Sequence, residues 1–370
     1  MGIGLCVEIS ANYEEARHTF RHCVELLGWQ HEAHDIAGQS PAGDDLTIDI
    51  AWSPAPPDAP TLVLSSGLHG VEGFFGSAVQ CAILNRLLFH EQLHLPELKL
   101  GEVRLLMMHG LNPYGFAWLR RMDADGIDLN RNFLLPGDDY RGSPAGYAAL
   151  DPLLNPRSSA GWFDLFSVKL ALAAARMGVR QLTQTIAAGQ FDFPQGLFFG
   201  GNGPSQTQQI LAANLPRWLA SSSRVVHLDF HTGLGRAGEG KLLLDDALTE
   251  SQRNFLIEYL DSGSFVENDG SDVNYQVRGS LGCWCAHQSR VSDYLYACAE
   301  FGTYPPLQVL AGLRAENREF HWGKANSTAL SAAKERLREL FCPSEWSYDR
   351  RPLGLAEEWV EDVIFGLQQG

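Results

Sequence analysis

The sequence predicts a layered α/β/α domain around a mixed, largely parallel, twisted sheet. Short aliphatic runs recur along the chain, and most are apolar without alternation, as expected for strands that helices cover on both faces. Segments with helical periodicity lie between these runs, and such alternation is typical of layered α/β proteins. The chain has 370 residues, 45% of them hydrophobic, which is enough for a large core.

Six segments are predicted as strands and seven as helices, taken here in chain order. The predicted strands are 46–52, 61–66, 103–109, 225–230, 241–246 and 293–301. The predicted helices cover about 73–94, 162–189, 205–221, 249–260, 306–319, 326–341 and 355–369. We find no linker or repeat between them, so we expect a single domain over 1–370. A helical insertion at about 134–200 is expected to cap the functional cleft.

Composition excludes several classes of partner. The formal net charge of -16 and the pI near 5.1 argue against nucleic acid and anionic membrane surfaces, which attract Lys and Arg. The sequence has no evident signal peptide and no apolar run of about 18 residues. The seven cysteines lack the spacing of a disulfide framework, which suits a reducing compartment. We therefore expect a cytoplasmic protein, and the sequence leaves its oligomeric state open.

Polar side chains follow three of the predicted strands. His69 and Glu72 come after the strand at 61–66, His231 comes after 225–230, and Glu300 is the last residue but one of 293–301. Functional groups in an open α/β sheet collect at the carboxyl ends of strands. Two histidines and a carboxylate are the ligand set of an open catalytic zinc site, which keeps a fourth position for water. Taken singly, each residue is better explained as a solvated, hydrogen-bonded or ion-paired polar group.

A fourth segment of the sequence contains a longer motif that can be considered together with these residues. It reads LNPYGFAWLRRMDADGIDLNRNF and covers 111–133. It resembles the zinc carboxypeptidase family, in which an Asn-Pro turn is followed by an arginine and then by an Asp-x-Asn-Arg run. The order of all four segments along the chain is also similar to that family. The whole resembles a little-characterised bacterial branch of zinc carboxypeptidase-like proteins, in the superfamily of carboxypeptidase A, aspartoacylase and succinylglutamate desuccinylase.

The resemblance implies a metal centre with one zinc ion (Zn²⁺) per chain. His69, Glu72 and His231 match the zinc ligands. Asp128 matches an aspartate that orients the first histidine, and Arg121 matches the arginine that polarises the scissile carbonyl. The choice of Arg121 over its neighbour Arg120 rests on the nine-residue step to Asn130, and both alternatives stay open at this point.

The resemblance also implies roles in catalysis and substrate binding. Glu300 matches the general base, which takes a proton from the attacking water. Asn130 and Arg131 match the pair that holds the substrate's terminal carboxylate, a task suited to the planar fork of a guanidinium. Tyr275 is similar to the family's mobile tyrosine, although an amphipathic loop tyrosine would fit its surroundings as well.

The implied activity is that of a zinc metallocarboxypeptidase-like hydrolase, cleaving an amide bond next to a free carboxylate in a small peptide. A first alternative is an N-acyl amino acid deacylase, because EFGTYP at 300–305 is closer to the deacylase relatives. A second is a non-catalytic zinc- or ligand-binding protein, which the presence of Arg121 and Glu300 disfavours. A serine hydrolase would need a G-x-S-x-G turn, and the sequence has none.

Overall fold

An eight-stranded mixed sheet forms the centre of the computed structural model. The structure describes residues 9–93, 98–159, 164–219, 221–244, 246–267 and 277–370. In these ranges the strands are β1 Gln30–Gln39, β2 Asp45–Trp52, β3 Thr61–Ser66, β4 Arg104–His109, β5 Val225–Thr232, β6 Gly240–Leu244, β7 Phe265–Glu267 and β8 Tyr294–Phe301.

The order of the strands brings four parallel neighbours to the middle of the sheet. The order is β1-β2-β4-β3-β5-β8-β6-β7. Strands β4, β3, β5 and β8 run parallel, while β1–β2, β2–β4 and β6–β8 pair antiparallel. The carboxyl ends of the four central strands therefore meet at one edge of the sheet.

The near-continuous apolar runs of the central strands are explained by two hydrophobic layers. Successive side chains on a strand point to opposite faces. On β4, Leu105 and Met107 face one core cluster, whereas Leu106 and Met108 face the other. Both faces are buried, so the sequence of such a strand shows no alternation.

Helices cover both faces of this sheet. The helices are α1 Tyr13–Leu26, α2 Gly73–Leu93, α3 Pro113–Ala117, α4 Tyr147–Leu154, α5 Phe166–Met177, α6 Val179–Ala187, α7 Gln206–Leu219, α8 Glu250–Tyr259, α9 Leu281–Ser289, α10 Pro306–Trp322, α11 Thr328–Phe341 and α12 Arg351–Gln369. Helices α1, α2, α8 and α12 contribute to the first core cluster, and α7 and α9 to the second. Helices α4, α5 and α6 pack with α10 and α11 in a third cluster.

The predicted fold class is confirmed, with local corrections. The expected helix over 162–189 is wrong as a continuous element, because α5 ends at Met177 and α6 begins at Val179. Gly178 between them has a φ of +83°, a left-handed conformation that interrupts a helix. Residues 162–163 of that expectation lie outside the described residues. Helices α1, α3 and α9 and strands β1 and β7 were not predicted. Across the part of the chain that the structure covers, no helix combines the length and apolarity that a bilayer crossing requires.

Candidate active site and metal centre

The three polar strand ends meet at the carboxyl edge of the central strands. In the β3–β5 register Ser66 lies opposite Phe230, and in the β5–β8 register His231 lies opposite Glu300. His69 follows β3 by three residues. The parallel pairing thus brings together side chains that are more than 200 residues apart in the sequence.

A tight glycine turn carries the first two of these side chains. After β3, Gly67 has a φ of +68°, and the chain enters a 3-10 turn over Gly70–Glu72. A Cβ atom on Gly70 would lie 2.2 Å from the carbonyl carbon of Gly115, so only glycine fits there. The N–H of Val71 donates to the Arg120 carbonyl at 2.8 Å, which fixes the turn and hence the position of Glu72.

His69, Glu72 and His231 converge on one point. His69 Nδ1 lies 3.0 Å from Glu72 Oε1 and 3.2 Å from His231 Nδ1. His231 Nδ1 lies 3.1 Å from Glu72 Oε2. All three residues are buried, and together they are a group that could hold a metal ion.

This donor set fits zinc. Zinc bonds of about 2.0–2.2 Å in a tetrahedron separate the ligand atoms by roughly 3.3–3.6 Å, close to the observed spacing. Burial acts to raise the pKa of Glu72, but the charge on His69 and hydrogen bonds from His231 outweigh it and keep the pKa below its ordinary value. The pKa of His231 lies well above its ordinary value, because Asp229 and Glu72 overcome the effect of burial. The surroundings therefore favour a positive charge where the three side chains meet.

Each histidine has a carboxylate at its other ring nitrogen. His69 Nε2 lies 3.2 Å from Asp128 Oδ1, and His231 Nε2 lies 2.6 Å from Asp229 Oδ2. Such partners fix the orientation of a ligating imidazole and raise its basicity. Asp128 was expected in this position from the sequence. Asp229 was not assigned a role, although it precedes His231 by two residues and so lies on the same face of β5.

Asp229 is itself held by a buried polar network. Ser65 Oγ donates to its Oδ1, and the hydroxyl of Tyr296 donates to its Oδ2 at 2.9 Å. Burial acts to raise the pKa of Asp229, but the charge and hydrogen bond of His231 lower it to about 2. The carboxylate is therefore ionised, and its position is fixed from three strands.

Of the two adjacent arginines, Arg121 is the one that reaches the residues that could hold a metal ion. Its Nε donates to Asp128 Oδ2 at 2.9 Å, its Nη1 donates to Glu72 Oε1 at 3.0 Å, and its Nη2 lies 2.8 Å from His69 Nε2. Arg120 points elsewhere and pairs with Glu316 of α10, its Nε 2.7 Å from the carboxylate oxygen Oε1. Local sequence spacing alone did not decide between them.

Glu300 stands beside His231 on the next strand. The N–H of Leu234 donates to its Oε1 at 2.8 Å, and 8% of the residue is exposed. Burial and the neighbouring charge of Glu72 raise the pKa of Glu300 to about 7. A carboxylate with such a pKa can both accept and return a proton near neutral pH.

The residues expected to bind substrate have several internal contacts. Asn130 Oδ1 accepts from the N–H of Leu281 at 3.0 Å. Arg131 is 1% exposed and donates to the carbonyls of Asn130 and Ala187. Tyr275 lies outside the described residues. The substrate-binding roles of these residues stay predictions.

The end of the 134–200 segment comes close to these arginines. The ring of Phe198 lies 5.5 Å from the guanidinium carbon of Arg121 and 5.7 Å from that of Arg131. Phe198 has a φ of +59°, which is uncommon for an aromatic residue and indicates local strain. Its carbonyl accepts from Gln190 N at 3.0 Å, which helps to hold this conformation.

Comparison with family models identifies the family of the chain. The profile of the family described as "Protein of unknown function (DUF2817)" matches residues 9–353. No curated protein matches the chain.

The chain is also similar to 98 chains of solved structures. A provisionally assigned metallopeptidase from Shewanella amazonensis is 17% identical, with coverage of 89% of this chain and 93% of that one and a TM-score of 0.42. Carboxypeptidase A from Helicoverpa armigera is 12% identical, with coverage of 88% and 73% and a TM-score of 0.44. Murein-tripeptide amidase MpaA from Escherichia coli O157 is 16% identical, with coverage of 80% and 93% and a TM-score of 0.35. The TM-scores are below 0.5, so the function must be argued from the site itself.

Proposed function

This chain belongs to the DUF2817 family, and we propose that it is a zinc-dependent hydrolase of amide bonds next to a free carboxylate. The observation that carries the proposal is the convergence of two imidazole nitrogens and a carboxylate within 3.0–3.2 Å, with Glu300 beside them. A site with only a structural metal would not need a further buried carboxyl group of raised pKa next to the ligands.

His69, Glu72 and His231 would hold the zinc ion, with Asp128 and Asp229 orienting the two imidazoles. When bound, zinc supplies Lewis-acid polarisation of the amide carbonyl and lowers the pKa of water. Three protein ligands leave room for this chemistry, whereas a structural site uses four.

The remaining steps belong to side chains of the protein. Glu300 takes the proton of the attacking water and returns it to the nitrogen of the leaving amine, for which a pKa of about 7 is suitable. The guanidinium of Arg121 stabilises negative charge that develops on the carbonyl oxygen. Asn130 and Arg131 are proposed to recognise the substrate's carboxylate, and Tyr275 to contact the substrate. The products are a carboxylate and an amine.

A second substrate class, the N-acyl amino acids, is favoured by one observation. Phe198 lies close to both Arg121 and Arg131, which restricts the space beside the proposed carboxylate pocket. A short acyl group requires less of this space than a peptide chain does. The same catalytic residues would serve either substrate.

Metal content and hydrolysis test the proposal. Protein purified without added metal should contain about one zinc per chain, and His231→Ala should lose it. Hydrolysis should be measured with a panel of short peptides and a panel of N-acyl amino acids. Glu300→Gln should keep the zinc and lose at least about 100-fold in kcat, because proton transfer of this kind contributes 10²–10⁴-fold.

Glu258→Gln, an exposed glutamate on α8, is the matched control and should keep full activity. Zinc binding without turnover of either panel would point to a binding protein. Undiminished turnover by Glu300→Gln would refute the assignment of the base.

A further inference from the structure

A cavity of about 130 Å³ lies at the opposite edge of the sheet from the metal centre. Its lining includes Gln30 at the start of β1, Trp52 at the end of β2, and Arg104 at the start of β4. The six residues of β4 separate this edge from the carboxyl edge by roughly 20 Å. The cavity is therefore distinct from the proposed active site.

Arg104 is the charged group of this cavity, and its environment is unusual. The residue is only 8% exposed, and its Nε is buried without a hydrogen-bond partner. Its Nη2 donates to the Pro56 carbonyl at 3.2 Å. Among the described residues, no carboxylate lies within ion-pairing distance of this guanidinium.

The absence of a counter-ion in the part of the chain that the structure describes is notable, because the sequence has 44 acidic and 28 basic residues. A buried charge is normally paired, because the loss of its hydration is costly. Burial lowers the pKa of Arg104, and no acidic side chain in the described ranges acts against it. An anion entering the cavity would supply the missing negative charge.

We propose that the Arg104 cavity binds a small oxyanion, a phosphate or carboxylate group. A guanidinium presents five N–H donors in a planar fork that matches such groups. The hydroxyl of Ser53 and the amide of Gln30 provide further polar groups in the lining, and Trp52 provides an apolar wall. The volume admits a small ion or the anionic end of a small metabolite.

Two variants test this site in different ways. Arg104→Gln removes the guanidinium. Ala55→Glu keeps it, but places a carboxylate in the cavity lining to compete with an external anion. Arg224→Gln is the matched control, because Arg224 lies near the same edge and is already paired with Asp293 at 2.6 Å. If Arg104→Gln does not fold, anion binding by Ala55→Glu is sufficient to test the proposal.

The measurement is calorimetric titration of the full chain with sodium phosphate and, separately, sodium acetate, at constant ionic strength. Wild-type protein and Arg224→Gln should bind at least one of these anions with a dissociation constant on the order of 1 mM or tighter. Arg104→Gln and Ala55→Glu should each weaken that binding at least about tenfold. The two titrations distinguish a phosphate site from a carboxylate site.

The absence of saturable binding of either anion to the wild type would overturn the proposal. Binding that persists in Ala55→Glu would also overturn the proposal. Such a result is expected for an anion held at the metal centre and not for one held by Arg104.

Discussion

The carboxylates behind the two histidines should contribute unequally to metal affinity. Asp229 lies 2.6 Å from His231 Nε2, whereas Asp128 lies 3.2 Å from His69 Nε2. Asp128 also forms an ion pair with Arg121, whose Nε lies 2.9 Å from Asp128 Oδ2. Asp229 has no arginine partner among the described residues. We therefore expect Asp229→Asn to weaken zinc binding more than Asp128→Asn does.

The magnitude follows from the role of such partners. Loss of a carboxylate behind a ligating histidine typically costs 10- to 100-fold in metal affinity, or about 1.4–2.7 kcal/mol. The short, buried contact of Asp229 places Asp229→Asn near the upper end, at about 100-fold. The longer and shared contact of Asp128 places Asp128→Asn near about tenfold.

The assay is competition for zinc between the protein and a chromophoric chelator, at fixed pH. Asp261→Asn, an exposed position after α8, is the control and should bind zinc as the wild type does. Circular dichroism and urea unfolding establish that each variant is folded. The reasoning from these contacts would be wrong if Asp229→Asn bound zinc with wild-type affinity. It would also be wrong if Asp128→Asn bound zinc more weakly than Asp229→Asn does.

Two further predictions concern stability. Glu316→Gln should lower the free energy of unfolding in urea by about 3–5 kcal/mol, because it leaves the buried guanidinium of Arg120 without its counter-ion. The control, Glu335→Gln on the exposed side of α11, should change this free energy by less than about 0.5 kcal/mol. Equal losses in the two variants would contradict the prediction. Burial lowers the pKa of His109 from 6.5 to about 4, so below pH 6.5 the unfolded chain takes up a proton that the folded chain does not accept. Wild-type protein should therefore lose about 3 kcal/mol of stability relative to His109→Gln between pH 6.5 and pH 4, and urea-unfolding curves whose difference is constant with pH would exclude this linkage.

The central strands could be predicted because the pattern of apolar residues in their sequences reflects burial on both faces of the sheet. The runs that became β3, β4, β5 and β8 are apolar without alternation, and each is covered by helices on both faces. Strand β1 could not be found in this way. Its sequence, QHEAHDIAGQ, is mostly polar because it lies at the edge of the sheet and is largely solvent-accessible. Its place in the sheet comes from pairing with β2.

The site was predictable to the extent that its residues lie at strand ends or in a recognisable motif. His69, Glu72, His231 and Glu300 fall at one edge because β3, β5 and β8 are parallel. Asp229 shows the limit of this reasoning. A D-x-H sequence places both side chains on one face of a strand. Only the fold shows that Asp229 contacts Nε2 of His231, the ring nitrogen that does not face His69 and Glu72.

Arg120 and Arg121 show the same limit more sharply. The two residues have the same side chain and adjacent positions, and a motif spacing that tolerates one residue more or less cannot separate them. Their roles differ because the segment lies between the glycine turn at 70–72 and helix α10. The carbonyls of both arginines accept from N–H groups of that turn, so their side chains leave the segment in different directions. One reaches Glu72 and Asp128, and the other reaches Glu316. The distinction thus depends on which partners the tertiary structure brings within reach, and Glu316 is 196 residues away from Arg120 in the sequence.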